Sequence, residues 1–370
     1  MEKILFITAF VPNDNAAAEK NTKLMLEELS MYYDIDLVYF KYQTDEEYVI
    51  PNNHIKILCS FQNSLRVKIV NTLLFPFVYP LFSVRFSYKT LLWLRKHINK
   101  NTYKSIIFDH SQMFLYAKFL NVGVPKIMLS HDVIAQRIGR TSNKLLSWYC
   151  QLSEDFCLST NNSHLFALSE KDCNLIKTLY GKSARKCCLY LDRKVIESSP
   201  TNLKNEFVFI GKWSRKDNVD GVIWFFKEIA PLIEETIVVN IVGRDFPEHK
   251  IKNINSKIRV NIKGFMDNPY ELIANSRAVL SPLFTGAGVK VKVIEALACG
   301  TPVIGTDIAF EGINTEFAKF MLKPKTGGDW KYIIENINIP ISERLCLKKN
   351  FISDYQSETI PLYLKNYLHI

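Results

Sequence analysis

Short, predominantly apolar runs recur along this chain, separated by amphipathic stretches, and the first of them is continuous and holds β-branched residues. The first series is Ile4–Ala9, Ile35–Phe40, Ile55–Leu58, Ser105–Asp109, Lys126–Ser130 and Leu165–Ser169, and Asn21–Tyr33 carries Leu24, Met25 and Leu29 near helical spacing. A strand that is apolar along its whole length must be covered on both faces, which points to a parallel sheet between layers of helices. The pattern loosens after Asp192, and the polar stretch Arg193–Asn205 carries a Ser-Ser-Pro turn signal. A second series follows: strands at Phe207–Gly211, Thr236–Val242, Ile258–Ile262, Ala278–Ser281 and Pro302–Thr306, with helices at Val219–Ile233 and Val289–Ala298. The first of these helices lines up Val219, Val222, Phe226 and Ile233 on one face, and Asn218 is placed to cap it. At 370 residues the chain exceeds the size at which one core usually stops growing, so two α/β domains are expected.

With 48% hydrophobic and 23% charged residues, the composition excludes a disordered chain. Lysine and arginine outnumber the acids 47 to 37, a net charge of +10 that suits an anionic partner: nucleic acid, a membrane face or phosphorylated small molecules. Nucleic acid is disfavoured, because no module interleaves aromatic and basic residues. Eight cysteines show neither Cys-x-x-Cys spacing nor a zinc-type cluster, so no metal is expected. Their apolar neighbours and an amino terminus without signal-peptide character suggest reduced core thiols in a cytoplasmic protein. The most apolar stretch, Val70–Val84, is too short to span a bilayer and is interrupted by Pro76 and Pro80. Arg66, Lys68, Arg85 and Lys89 flank it, which leaves two readings open: a buried helical hairpin, or a segment lying on a membrane.

The segment Pro282–Ile313 carries the clearest chemistry. Strand Ala278–Ser281 runs into a loop with Gly286 and Gly288, and a helix begins near Val289. Glycines let a ligand approach the backbone, and amides at a helix start form an anion site. Lys290 and Lys292 stand where the helix dipole disfavours cations, so a bound anion would compensate them. Glu295 shares a helix face with Lys292 and is placed to accept hydrogen bonds from ribose hydroxyls.

This segment resembles the donor-binding motif of retaining GT-B glycosyltransferases of the family 4, or group 1, type. Glu295-Ala296-Leu297-Ala298-Cys299-Gly300-Thr301-Pro302-Val303 follows the family's Glu-Ala-(Met/Leu)-Ala-x-Gly-x-Pro-Val run, and Phe310-Glu311-Gly312 resembles a later turn. The resemblance spans roughly 205–325 and weakens before that. It implies an α/β fold of two Rossmann-like domains whose parallel sheets face a central cleft. Residues 1–192 would be the acceptor-binding domain and 206–345 the donor-binding domain, with 346–370 a helical segment packing back on the first. Glu295 would bind the donor ribose, with Lys290 and Lys292 near the pyrophosphate and Lys212, after Gly211, contacting phosphate. Phe265 and Met266 would line the base pocket, while Gly286, Gly288 and Val289 form the phosphate loop. Two positions depart from the family pattern: Ala287 where a glutamate is common, and Asp217 where a basic residue is common.

In the first domain His131-Asp132 follows a strand end directly, where a histidine can meet the donor sugar and orient the acceptor. Asp109-His110 is a second, less favoured candidate. Arg137 with Asp132 is expected on the acceptor side, and Ser169 with Asp172 reads as a capping box. The loop Pro12–Asn21 has Ala16, Ala17 and Ala18 where the family commonly has a glycine pair. The resemblance implies an enzyme transferring a sugar from a nucleotide-sugar donor to a glycan or lipid-linked acceptor, with retention and without cofactor or metal. Its setting would be envelope polysaccharide or glycoconjugate synthesis, in the cytoplasm or peripherally on the inner face of the cytoplasmic membrane. His131, Lys212 and Lys290 are the expected catalytic groups. The competing readings are a non-catalytic sugar-nucleotide-binding protein and a GT-B epimerase.

Overall fold

The computed structural model describes residues 1–251, 255–356, 359, 360, 363 and 364. The chain divides into two units, Met1–Tyr190 with Glu358–Ile370, and Leu191–Ser357. In the first, β1 (Lys3–Thr8), β2 (Asp34–Lys41), β3 (Ile55–Gln62), β4 (Ser105–Asp109), β5 (Lys126–Ser130), β6 (Ser163–Ala167) and β7 (Arg185–Lys186) form one sheet in the order β3-β2-β1-β4-β5-β6-β7. All its neighbours are parallel. In the second, β8 (Lys204–Ile210), β9 (Ile237–Val242), β10 (Ile258–Gly264), β11 (Ser276–Ser281), β12 (Val303–Gly305) and β13 (Met321–Leu322) run β10-β9-β8-β11-β12-β13, again all parallel.

Each sheet grows outward in both directions from its first strand. The order therefore reverses between β1 and β4 in one unit and between β8 and β11 in the other. At such a point the loops leaving the strand ends diverge and open a crevice, the usual ligand position in open α/β sheets. The central strands are buried along their length, as the continuous apolar runs require. The two-residue edge strands β7 and β13 carry no such run and were not legible.

Two helices depart from expectation for local reasons. The helix after β8 starts at Lys216, with Arg215 as its N-cap, so Asn218 lies within its first turn rather than capping it. Regular α-helix ends at Trp224, where a π-helical turn, Phe225–Ile229, and a 3-10 turn, Ala230–Leu232, take over. Pro231 has no N–H to donate back along a regular helix. The phosphate-loop helix begins at Val291, two residues after the expected start. In the first unit, Ser169 accepts from the Asp172 amide as expected of a cap, but its hydroxyl bonds the Asp172 carboxylate.

The C-terminal segment is shared between the units. The helix Ile341–Gln356 belongs to the second, where the buried Arg344 guanidinium donates to the carbonyls of Ser276, Arg277 and Ile339. Lys348 donates to those of Val195, Ile196 and Ser198. Beyond Gln356, Tyr363 packs in the first unit edge-on to Phe166 at 4.7 Å and bonds His164. Residues 357, 358, 361, 362 and 365–370 of the expected 346–370 segment lie outside the described residues. No disulfide joins cysteines among the described residues, and six of the eight are buried.

Candidate functional site

At the switch point of the second unit, the loop after β8 meets the loop after β11. The helix Lys216–Trp224 approaches so closely that a Cβ on Gly221 would lie 2.2 Å from the Pro282 carbonyl oxygen, and only glycine fits there. Gly286 and Gly288 both have positive φ, which turns the loop back toward the helix Val291–Ala298. Lys290 is the N-cap residue of that helix, and its ammonium folds over the loop to donate to the carbonyls of Ala287, at 3.1 Å, and Gly288, at 2.6 Å. Lys292, in the first turn of that helix, donates to Asn218 Oδ1 at 3.0 Å. The other end of the Asn218 amide donates to the Lys212 carbonyl at 3.1 Å. Asn218 thus ties the Gly211–Lys212 turn to the phosphate loop, a link the sequence did not reveal.

Burial pushes the Lys292 ammonium down to about 8, with Arg215 and Lys290 adding to the effect and Asp217 opposing it. Asp217, where the family pattern commonly has a basic residue, pairs with the Arg215 guanidinium two residues earlier at 3.0 Å. Lys212 is exposed at the strand end. Glu295 faces the same side of its helix and accepts from the Tyr270 hydroxyl at 2.7 Å. Burial and that carboxylate both push the Tyr270 phenol well above its ordinary value, which keeps it a donor. Phe265 is 53% exposed beside the β10 end, with the Arg244 guanidinium 4.2 Å above its ring, while Met266 next to it is half-buried. An exposed aromatic capped by a cation is a ready surface for a planar base.

The first unit carries a different constellation at its own switch point. Thr8 ends β1 and Asp109 ends β4, directly opposite in register, and the Thr8 hydroxyl donates to Asp109 Oδ2 at 2.9 Å. Thr22 donates to the same oxygen at 2.6 Å, and His131, just past β5, meets Asp109 Oδ1 through Nε2 at 2.7 Å. Burial opposes ionisation of Asp109, but the facing imidazoles and the Thr22 hydroxyl outweigh it and hold the carboxyl below its usual range. An ionised carboxylate only accepts, so the proton of this bond sits on His131 Nε2 and Nδ1 is left for a ligand. His110 stacks on His131 with ring centroids 3.8 Å apart, in a left-handed backbone conformation at φ 72. Burial keeps the His110 ring neutral. Phe10 closes the far side of His110 edge-on at 5.0 Å, and the buried Arg85 lies over Phe10.

Asp109, His110 and His131 place a carboxylate oxygen and two imidazole nitrogens within 4.8 Å of one another, a spacing that could also suit a metal. Both Asp109 oxygens also accept the bonds described, which tie Thr8, Thr22 and His131 to this carboxylate. Asp132 and Arg137 pair with each other at 2.8 Å. The helix Ile134–Thr141, which carries Arg137, starts just after Asp132, and its first amides, Ile134 and Ala135, donate to the two oxygens of buried Glu154. Burial pushes the Glu154 carboxyl up to about 7. The sequence singled out His131 but ranked Asp109-His110 below it, whereas the structure joins them in one cluster. Thr8 and Thr22 escaped notice because isolated threonines carry no spacing signal.

Residues 204–335 match the family model for glycosyl transferases group 1, so this segment is of that type. A search of curated protein sequences finds no match. Among solved structures, sucrose-phosphate synthase from Thermosynechococcus elongatus superposes with a TM-score of 0.68 at 13% identity, over 99% of this chain and 98% of that one. WaaG, a glycosyltransferase involved in lipopolysaccharide biosynthesis, gives 0.62 at 12%, over 99% of both chains. Anabaena HepE in complex with UDP-glucose gives 0.61 at 11%, over 100% of this chain and 98% of that one. At such identities the likeness is one of fold: two Rossmann-like α/β domains of the GT-B class.

Proposed function

We propose that this chain is a retaining glycosyltransferase whose second unit holds a nucleoside-diphosphate sugar and whose first unit presents a glycan or lipid-linked acceptor. The observation that carries the reading is the convergence of Lys290, Lys292 and the Gly286–Gly288 turn at the β8/β11 switch point, within the segment that matches the group 1 transferases. A diphosphate would draw the Lys290 ammonium off the loop carbonyls and meet Lys292, Lys212 and the opening amides of the helix Val291–Ala298. Preorganised cations and dipoles of this kind stabilise the charge that develops as the glycosidic bond breaks. Glu295, with Tyr270 behind it, would hold the ribose hydroxyls, and Phe265 under Arg244 would receive the base. His131, oriented by Asp109, would contact the transferring sugar through Nδ1 and set the acceptor.

Ammonium groups here take the place a metal ion has in other transferases, and the reading includes no resident metal or cofactor. No side chain on the motif is placed as a nucleophile, so the acceptor would attack from the face the diphosphate leaves. WaaG and HepE, structures of the same fold, support a sugar-nucleotide donor and an envelope setting, with the chain working at the inner face of the cytoplasmic membrane. Ala287, in place of the common glutamate, favours a second reading in which the site binds sugar nucleotides without turning them over.

A thermal-shift panel of nucleoside-diphosphate sugars tests the donor site, because a ligand of the native state raises stability by mass action. We expect at least one to stabilise the protein and to be slowly hydrolysed without acceptor, with EDTA making no difference. Stabilisation without hydrolysis would favour the binding protein, and no stabilisation by any member would sink both readings.

A further inference from the structure

Two helices of the first unit turn apolar faces to solvent. The helix Leu65–Leu74 buries only Asn71, whose amide donates to the Val84 carbonyl, while Leu65, Ile69 and Leu73 face solvent. The helix Lys144–Leu158 buries Ser153 and Glu154 beside Cys150, Cys157 and Leu158, which join the core, yet exposes Leu145, Trp148 and Leu152, with Leu145 72% and Trp148 58% exposed. Leu145, Trp148 and Leu152 fall three and four residues apart, which aligns them on one helix face. The inward polar groups have fixed tasks: Ser153 accepts from the Tyr79 amide, and Glu154 accepts from the amides that open the helix after His131. The helices are therefore locked in this orientation and cannot rotate their apolar faces inward. The loop ending the first helix is tied to the second through the Tyr149 hydroxyl and the Pro76 carbonyl, at 2.8 Å, with exposed Phe77 next in line.

The charge around these faces identifies what covers them. Residues 48–108 contain nine lysines and arginines and not one aspartate or glutamate, and residues 133–153 contain three more and again no acid. The two segments that carry the outward apolar faces thus hold twelve basic residues and no acid, more than the whole chain's net +10, and of the twelve Arg85 is buried. A second copy of this chain would bring the same positive charge against itself, whereas an anionic bilayer offers both an apolar interior and a negative surface. Among the described residues no helix is long and apolar enough to cross a membrane, so these faces can only lie on one.

We propose that the helices Leu65–Leu74 and Lys144–Leu158 form a peripheral docking surface for an anionic phospholipid bilayer, with Leu73, Phe77 and Trp148 entering the headgroup layer and Arg66, Lys68 and Lys144 meeting lipid phosphates. The proposal rests on the membrane setting of the function above, not on its chemistry. It also fixes the position of His131, because Glu154 links the docking helix to the helix that follows that residue.

The test is co-sedimentation of the full chain with vesicles of phosphatidylcholine alone or mixed with phosphatidylglycerol, at low and high salt. Wild type is expected to pellet with the anionic vesicles at low salt and to be largely released at high salt. Leu73→Glu and Trp148→Glu should each lower partitioning about tenfold or more, by removing an inserted group and adding a repelled charge. Tyr332→Glu, an equally exposed apolar site in the second unit, should leave it unchanged. Wild type that stays in the supernatant of anionic vesicles, or partitions as before in both variants, overturns the proposal. So does a concentration-dependent dimer that both variants dissociate, because a second copy would then occupy the surface. Thermal shift by nucleotide sugars on the same preparations separates the two failures: vesicle binding without a donor shift removes the transferase reading alone, and a donor shift without vesicle binding removes this one.

Discussion

The two switch points solve the same geometric problem with different materials. In the second unit the site is built largely from backbone, with a glycine turn, a helix start and a lysine, Lys290, that bonds loop carbonyls. In the first it is built from buried side chains, with Asp109 gathering Thr8, Thr22 and His131 from separate elements. A backbone site is specified by contiguous residues and leaves a readable motif, while a side-chain site draws on positions more than a hundred residues apart. This accounts for a family match that covers 204–335 and stops short of the first unit.

The largest expected effect lies in the first unit. His131→Ala should lower turnover about a hundredfold or more while leaving donor affinity little changed, since it removes a positioned acid–base and hydrogen-bonding group. Steady-state rates with saturating donor and acceptor check this, and wild-type rates would reduce the cluster to packing. Asp109→Asn should fall in the same direction, because an amide can meet His131 Nε2 with an N–H and upset its tautomer.

Next come Lys290→Ala and Glu295→Ala, each expected to weaken donor binding by about 1.5–3 kcal/mol with the fold intact, the usual loss for a charge-assisted contact. Unchanged nucleotide affinity in calorimetric titration of both variants would remove the donor-site assignment. Lys292 sharpens the contrast through pH. Its ammonium, pushed down to about 8, loses its proton above that pH in the free protein. A diphosphate that needs the charge must restore the proton, so affinity should fall as pH rises beyond about 8, by at most about tenfold per unit. Titrations in buffers of different ionisation enthalpy should report proton uptake there, and Lys292→Met should abolish both the slope and the uptake. The last effect falls on stability rather than on binding or turnover, in Gly221→Ala. Its methyl would meet the Pro282 carbonyl and cost roughly 1–3 kcal/mol of stability, read as a lower melting temperature. A parallel loss of donor affinity would show that the two loops must keep their spacing.

Much of the fold was legible because buried parallel strands leave continuous apolar runs, and the positions of β1, β4, β5 and β11 follow from that alone. Edge strands of two residues leave none, and Pro231 ends regular helix before the apolar pattern of Val219–Ile233 runs out. At the donor site Lys290, Lys292 and Glu295 stand in one contiguous motif, but Tyr270 and Asn218 reach it from other elements and were not foreseeable. Val70–Val84 was ambiguous because apolarity alone cannot say which way a helix faces. Asn71 settles that for the first helix, as a polar residue turned inward for a backbone carbonyl.

The helix Ile341–Gln356 bears on how the second unit can be handled as a separate piece. Arg344 grips the start of β11, while Lys348 on the same helix grips Val195, Ile196 and Ser198, so the beginning and the end of the unit lie side by side. A fragment cut at residue 335, where the family similarity ends, would strip these carbonyls of their donors and uncover apolar surface, and should be insoluble when expressed alone. Extension to Gln356 restores the clasp. With its ends already adjacent, the longer fragment is also a natural candidate for circular permutation, in which a short linker joins old termini and new ones open in an exposed loop.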